Sequence, residues 1–122
     1  MLADTRSAGS QTRVSTHIFR VVVRGHFHDL SAPARDRLLA ELDDHDIFKA
    51  RYSAAGSLTY ERNLVAFSFR YEVRERDDAA ADAEARAIEA SLAKASASLA
   101  ELGVEHRHLR ATATDMASMW ET

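Results

Sequence analysis

Residues 17–30, "HIFRVVVRGHFHDL", alternate between apolar and polar side chains. One face of this segment carries Phe19, Val21, Val23, Gly25 and Phe27, and the other carries Arg20, Val22, Arg24, His26 and His28. Because successive side chains of a β-strand point to opposite faces, the pattern predicts a strand with one buried and one exposed face. A sheet built on such a strand needs cover on one side only, which favours two layers with helices on the apolar face.

Two segments have helical spacing. Residues 31–46, "SAPARDRLLAELDDHD", predict a helix that is capped by Ser31 and ends near Asp44. Residues 77–103 predict a longer helix that starts at Asp77 or Asp78 and ends at Gly103. Its expected buried stripe consists of Ala85, Ile88, Leu92, Ala95, Leu99 and Leu102.

Three further segments read as strands. Residues 47–62, "IFKARYSAAGSLTYER", predict two hairpin arms around Gly56. The next strand lies in "LVAFSFRYEVRE". The apolar positions change from even to odd numbers between Tyr60 and Val65, so we expect a bulge or kink near residues 62–63. The last strand, "VEHRHLRATATDM", is expected to turn Leu109, Ala111 and Ala113 inward.

The order strand, helix, strand, strand, helix, strand predicts a single α+β domain over residues 16–116. We expect a two-layer ferredoxin-like (βαββαβ) sandwich, with an antiparallel sheet of order 4-1-3-2 and both helices on one face. Residues 1–15 are polar and aperiodic, which predicts a disordered N-terminal segment, and residues 117–122 are expected to form a C-terminal tail.

Two His-x-His pairs are expected to meet in this topology. The first strand ends with His26 and His28, and the last strand begins with His106 and His108. These strands would be antiparallel neighbours, so the four imidazoles are expected to share one corner of the open face as candidate catalytic, proton-handling groups. The expectation depends on register, since a slip by one residue turns a pair toward the core.

Arginines accompany the histidines on the same face. Arg20, Arg24, Arg70 and Arg110 are the candidate anion contacts, because a guanidinium binds carboxylate or phosphate with two parallel hydrogen bonds. The first hypothesis is therefore binding or non-redox conversion of a small polar or anionic metabolite on the open face. The residues do not decide between binding and catalysis.

Two alternatives stay open. In one, His26, His28, His106 and His108 ligate a metal ion, although the neighbouring arginines disfavour a dication. Asp29 and Glu105 would then support the ligating rings. In the other, the face is a structural or interaction surface without a small-molecule site. No motif assigns a cofactor.

Composition narrows the partners and the compartment. A net charge of −3 gives no support to nucleic-acid binding, and no apolar run is long enough to span a bilayer. The chain has no cysteine, and its N-terminal segment lacks the apolar core of a secretory signal, so we expect a cytoplasmic protein without a membrane partner. By analogy with other open-faced sheets, we expect a homodimer through the open face.

The stretches "FRVVVRGHF", "LLAELDDHDIFKARYSAAGSLTY", "FSFRYEV" and "LRATATDM" resemble a family of short actinobacterial proteins catalogued as a domain of unknown function. The resemblance covers about residues 18–116. It implies a compact intracellular bacterial domain, encoded near specialised-metabolism genes. It carries over no activity, cofactor or catalytic residue, and the family pattern does not require the four histidines.

Overall fold

The computed structural model describes residues 15–77 and 79–119. Within them lie four strands and two helices: β1 Ser15–His28, α1 Ala32–Ala40, β2 Ser57–Tyr60, β3 Ala66–Asp77, α2 Ala80–Leu102 and β4 Glu105–Asp115. Three short 3₁₀ turns span Leu42–His45, Ile47–Lys49 and Met116–Met119. The predicted disordered segment lies outside the described residues apart from Ser15, which belongs to β1, and the last three residues of the predicted tail also lie outside them.

The four strands form one antiparallel sheet in the order β2-β3-β1-β4. This is the predicted order 4-1-3-2 read from the opposite edge, so the α+β class and the strand order are confirmed. The long strand β1 lies in the interior, where Val21 pairs with Tyr71 of β3 and with Ala113 of β4. The histidine-bearing ends of β1 and β4 are therefore neighbours, as expected.

The core lies between one sheet face and the helices. Phe19, Val21 and Val23 of β1 are completely buried, as their alternation predicts. The buried face of α2 differs from the expected stripe and consists of Ala83, Ala87, Ser91, Ala95 and Leu99. Ala95 and Leu99 are common to the expected and observed stripes, whereas Ala85 is exposed and Ile88, Leu92 and Leu102 are half-buried. Four of the five buried residues are small, and Leu92 and Leu102 pack against the core beside them.

Two of the four expected helix boundaries, the start of α1 and the end of α2, are confirmed, whereas α2 begins at Ala80, later than expected. The Ser31 hydroxyl accepts a hydrogen bond from the Ala34 amide at the start of α1. This helix ends at Ala40, earlier than expected, and the chain continues as a 3₁₀ turn. Helix α2 ends at Gly103, whose φ of 71° is the left-handed conformation that favours glycine at this position.

The first arm of the predicted hairpin is not a strand. Residues Ile47–Lys49 form a 3₁₀ turn, and Ser53 makes an isolated bridge to Tyr71. Asp46 stabilises this turn, because its Oδ1 accepts a hydrogen bond from the Phe48 amide at 2.8 Å. Local side-chain capping thus prevails over the alternation that predicted an arm.

The predicted break before β3 is confirmed. Residues 61–65 form a turn in which Leu64 has a φ of 53°, and the Asn63 side chain accepts a hydrogen bond from the Val65 amide at 3.2 Å. The turn resets the alternation, so Tyr60 and Phe67, although of opposite parity, pair in register and are both buried.

Candidate functional site

A cleft of about 700 Å³ lies over the open face of the sheet. Its floor includes Arg24 and His26 of β1, Ser68 of β3 and Arg110 of β4. The other walls come from the two 3₁₀ turns after α1, Leu42–His45 and Ile47–Lys49, and from the turn at residues 61–65. The cleft therefore lies on the surface that the sequence indicated, but a segment expected to be a hairpin arm forms part of its wall.

One row of side chains crosses the sheet beneath the cleft. The register places Thr59 opposite Ser68, Ser68 opposite Arg24, and Arg24 opposite Arg110. Because directly paired residues share a face, all four belong to the open side. The hydroxyls of Thr59 and Ser68 lie 2.9 Å apart. The row thus runs from two hydrogen-bonded hydroxyls to two guanidinium groups.

Arg24 and Arg110, called here the arginine pair, are like charges placed directly opposite each other. Across residues 15–77 and 79–119, neither makes an ion pair with a carboxylate. Arg110 Nη1 donates a hydrogen bond to the His108 carbonyl oxygen at 3.3 Å. Like charges directly opposite in a sheet are destabilising, so the arginine pair is a cost to the fold that no described carboxylate offsets.

The other two arginines predicted as anion contacts do not line the cleft. Arg20 has Nε 3.9 Å from a Glu72 carboxylate oxygen, and its guanidinium lies 4.8 Å above the Tyr52 ring. Arg70 Nη1 donates to Thr59 Oγ1 at 3.3 Å. Arg20 and Arg70 thus both contact neighbouring side chains, and in this they differ from the arginine pair.

A β-bulge in β4 rearranges the histidines. Arg24 pairs with Arg110, but His26 pairs with Arg107, so β4 has one residue more than β1 in this stretch. His108 takes a φ of 61° at the bulge, and its ring lies 5.4 Å from the His26 ring in an edge-on arrangement. The expected contact between the two His-x-His motifs is thus made by one histidine from each.

The prediction that all four histidines share the open face is wrong for His106. This residue pairs with Phe27, whose side chain is buried, and its ring lies 6.4 Å edge-on from the Phe67 ring. Its Nδ1 is buried and has no hydrogen-bond partner in the described part of the chain. The extra residue at the bulge reverses the alternation, so positions before it face oppositely to those expected.

His28 lies beside carboxylates. It pairs with Glu105, and its Nε2 is 3.4 Å from Asp29 Oδ2. One ligand atom from each of His28, Asp29 and Glu105 falls within 4.8 Å of the others. A metal site made of all four histidines does not fit this arrangement, because His106 is on the opposite face; these three residues form a different group.

Three apolar residues at the cleft were not recognised from the sequence. Ile47, Phe48 and Val65 are 52%, 94% and 54% exposed, and all three line the cleft. The hairpin interpretation placed Phe48 on a strand face. The one signal in the sequence for a turn here was Asp46, two positions before Phe48, because aspartate side chains often accept a hydrogen bond from the amide two residues later.

Tyr60, which also lines the cleft, has a structural role. Its hydroxyl donates a hydrogen bond to the Leu38 carbonyl oxygen at 2.6 Å. Burial, with smaller contributions from Glu41 and Asp44, raises the pKa of Tyr60 to about 12. The phenol therefore stays protonated and bonded to α1 at neutral pH.

The fold and the cleft define a small α+β domain with an arginine pair on its open sheet face. The chain belongs to a family of unknown function, DUF6204, whose model matches residues 14–121. The sequence resemblance to a domain of unknown function is thereby confirmed. No curated protein and no solved structure matches the chain. Neither helix found in the described ranges has the length and hydropathy needed to cross a membrane.

Proposed function

We propose that the protein binds a small anionic metabolite in the cleft, with Arg24 and Arg110 as the anion contacts. The observation that carries this proposal is the arginine pair itself, two cations opposed across neighbouring strands without a carboxylate partner among the described residues. An anion bound between them would relieve their repulsion and form charge-assisted hydrogen bonds with both. Such a contact gives the unfavourable pairing a function.

The dimensions and lining of the cleft support a small ligand. Its volume of about 700 Å³ falls within the range of about 300–1,000 Å³ that is usual for small-molecule sites. The hydroxyls of Thr59 and Ser68 continue the polar row beside the arginine pair and offer neutral hydrogen bonds to the same ligand.

His26 and His108 supply the acid–base chemistry of any conversion at this site. His26 lines the cleft, and the His108 ring packs edge-on against it. His26 would exchange a proton with the ligand, and His108 would hold its ring in place. His28, His106 and His108 lie outside the cleft lining, and of these three only His108 has a role here, because its ring contacts His26.

Titration of the purified protein with benzoate and inorganic phosphate, followed by NMR, tests anion binding. We expect benzoate to shift amide resonances of the cleft, and the Arg24→Gln or Arg110→Gln variant to weaken this binding at least about tenfold. Arg74→Gln is the matched control, because Arg74 is an exposed arginine of β3 outside the cleft lining. Equal losses in all three variants, or no binding of either anion to wild type, would refute the proposal.

A second candidate function is metal binding at His28, Asp29 and Glu105. The mutual distance of 4.8 Å or less between their ligand atoms favours it, and this mixed nitrogen and oxygen set suits Zn²⁺. Calorimetric titration with Zn²⁺ is expected to show one site that His28→Ala abolishes and His106→Ala preserves. A wild-type protein that gives no saturable heat would exclude this function.

Further proposals concern the fold family and the association of two copies. We propose that the βαββαβ order and the sheet order represent a ferredoxin-like fold, and that two copies associate through their open faces. Sedimentation equilibrium tests the second statement, since a monomer at all concentrations would contradict it. The cytoplasmic location, the actinobacterial origin and the link to specialised metabolism stay predictions.

A further inference from the structure

Exposed large apolar side chains are concentrated at the cleft. Ile47, Phe48 and Val65, called here the apolar rim, are the large hydrophobic residues exposed among those the structure describes. All three line the same cleft. Single exposed apolar residues scattered over a surface are ordinary, but a group gathered at one concave site indicates a binding surface.

Backbone hydrogen bonds hold the apolar rim in its exposed position. The Asp46 side chain accepts from the Phe48 amide at 2.8 Å, and the Asp46 carbonyl oxygen accepts from the Lys49 amide at 2.9 Å. On the other wall, the Val65 carbonyl oxygen accepts a hydrogen bond from the Phe27 amide at 2.9 Å. Phe48 thus lies on a capped turn, 94% exposed, and the fold keeps its ring outside the core.

Charge is distributed unevenly within the cleft. The sheet floor carries the arginine pair, whereas the walls carry three carboxylates, Asp43, Asp46 and Glu61, against one cation, Arg62. A ligand carrying a single negative charge can place it on the floor and avoid these carboxylates. A ligand with several negative groups spread along its length would bring some of them toward the acidic walls, where like charges repel.

We infer that the ligand is an amphiphilic monoanion, a carboxylate or phenolate that carries an aromatic ring or a short hydrocarbon chain. This inference rests on the proposed function, since it assigns the anionic group to Arg24 and Arg110. The apolar part of the ligand lies against the apolar rim, where it removes exposed hydrocarbon surface from water on both molecules. Inorganic phosphate and sugar phosphates have no apolar part to place against the rim, so neither is the expected preferred ligand.

A matched set of probes tests the inference: acetate, 2-naphthoate and the neutral alcohol 2-naphthalenemethanol, each titrated by calorimetry. We expect 2-naphthoate to bind at least about tenfold more tightly than acetate, because its rings bury the apolar surface that acetate lacks. The neutral alcohol should bind more weakly than 2-naphthoate, because it cannot neutralise the arginine pair.

Two variants separate the contributions of rim and floor. Phe48→Ser should remove most of the advantage of 2-naphthoate over acetate, and Arg110→Gln should weaken binding of both anions. Because Phe48 is 94% exposed, its replacement leaves the core intact, which circular dichroism verifies. Val22→Ser is the matched control, since Val22 lies on the same sheet face outside the cleft lining and should leave the preference for 2-naphthoate unchanged.

The outcomes distinguish failure of this inference from failure of the proposed function. Equal affinity for acetate and 2-naphthoate, with both lost in Arg110→Gln, would overturn the amphiphilic ligand and leave anion binding in place. No binding of any anion would overturn both. If Phe48→Ser converted a dimer into a monomer without changing affinity for 2-naphthoate, the apolar rim would be a self-association surface, and the inference would be wrong.

Discussion

Two buried tyrosines give the protein a specific response to alkaline pH. Burial raises the pKa of Tyr60 and that of Tyr71 to about 12, from an ordinary value of 10.0. Above the ordinary value, the unfolded chain releases phenolic protons that the folded state retains. The unfolded state then binds fewer protons than the folded state, so the free energy of unfolding falls as pH rises between these two values.

The phenol at position 60 provides the first prediction. Tyr60→Phe should lower the free energy of unfolding at neutral pH by about 1 kcal/mol, since the hydrogen bond to the Leu38 carbonyl oxygen is lost. The same substitution should make the alkaline decline shallower, because one of the two titrating phenols is absent. Urea unfolding at a series of pH values measures both effects. An alkaline decline as steep as that of wild type would contradict the proposed role of Tyr60.

Ser91 is a polar residue in an apolar setting. It is completely buried, and its hydroxyl has no hydrogen-bond partner in the described ranges. Ser91→Ala should therefore stabilise the protein by about 1 kcal/mol, because it removes an unsatisfied polar group. Ser96→Ala, at an exposed position of the same helix, controls for the better helix propensity of alanine. A gain no larger at Ser91 than at Ser96 would contradict the prediction.

Among the elements, β4 departs most from its expected geometry, because the bulge at His108 places that ring against His26 and turns His106 toward the core. A non-glycine residue with a φ of 61° is strained, and such strain often occurs at functional sites. The bulge also lies across from Gly25, where a Cβ would be 2.6 Å from Phe67 Cζ. An aromatic ring thus occupies the space that a side chain at position 25 would need.

The strain at His108 leads to a prediction about two replacements. His108→Gly should be more stable than His108→Val by about 1–2 kcal/mol, since glycine adopts a positive φ without strain and a β-branched residue does not. Both variants lose the ring contact with His26, so the comparison isolates the backbone. Chemical denaturation of the two proteins gives the difference. Equal stabilities would show that the bulge relaxes when its residue changes.

The elements differ in how far their sequences determine them. Three features could be predicted because each follows from side-chain period or from cap residues: the alternation of β1, the length of α2 and the break before β3. The bulge in β4 could not, since no glycine or proline marks the extra residue and the pairing partner of each position comes from the tertiary fold. Because the bulge reverses the alternation of the positions before it, His106 faces the core and not the open face that was predicted. The 3₁₀ turn at Phe48 was missed because its capping residue, Asp46, sits within a run of acids that also suits a helix end.

At the scale of the whole molecule, the helices of the described ranges cover one face of the sheet and leave the other without a helix. That open face carries the arginine pair and the His26–His108 contact, and the apolar rim lies on the turns beside it. The core is built mainly from side chains on the opposite face, although two of them, Tyr60 and Phe67, also line the cleft. Substitutions of the exposed cleft residues Arg24, Arg110 and Phe48 should therefore affect ligand binding more than stability.

The arginine pair should lower stability in the absence of ligand. Arg110→Gln removes one of two opposed like charges, so it should unfold at the same or a slightly higher temperature than wild type, with a gain of up to about 0.5 kcal/mol. Arg74→Gln, at an exposed position of the same sheet, should show no comparable gain. The gain should shrink as salt is added, since exposed charges are screened. A loss of stability in Arg110→Gln would show that this arginine supports the fold.

Thermal unfolding of wild type and Arg110→Gln, each with and without 2-naphthoate, tests anion binding by the arginine pair most directly. A ligand that binds only the folded state stabilises it by RT ln(1 + L/Kd), where L is the free ligand concentration, so the unfolding temperature rises with ligand concentration. We expect 2-naphthoate to stabilise the wild-type protein and to leave Arg110→Gln nearly unchanged. An equal rise in both proteins, or no rise in wild type at saturating 2-naphthoate, would contradict binding of the ligand at the arginine pair.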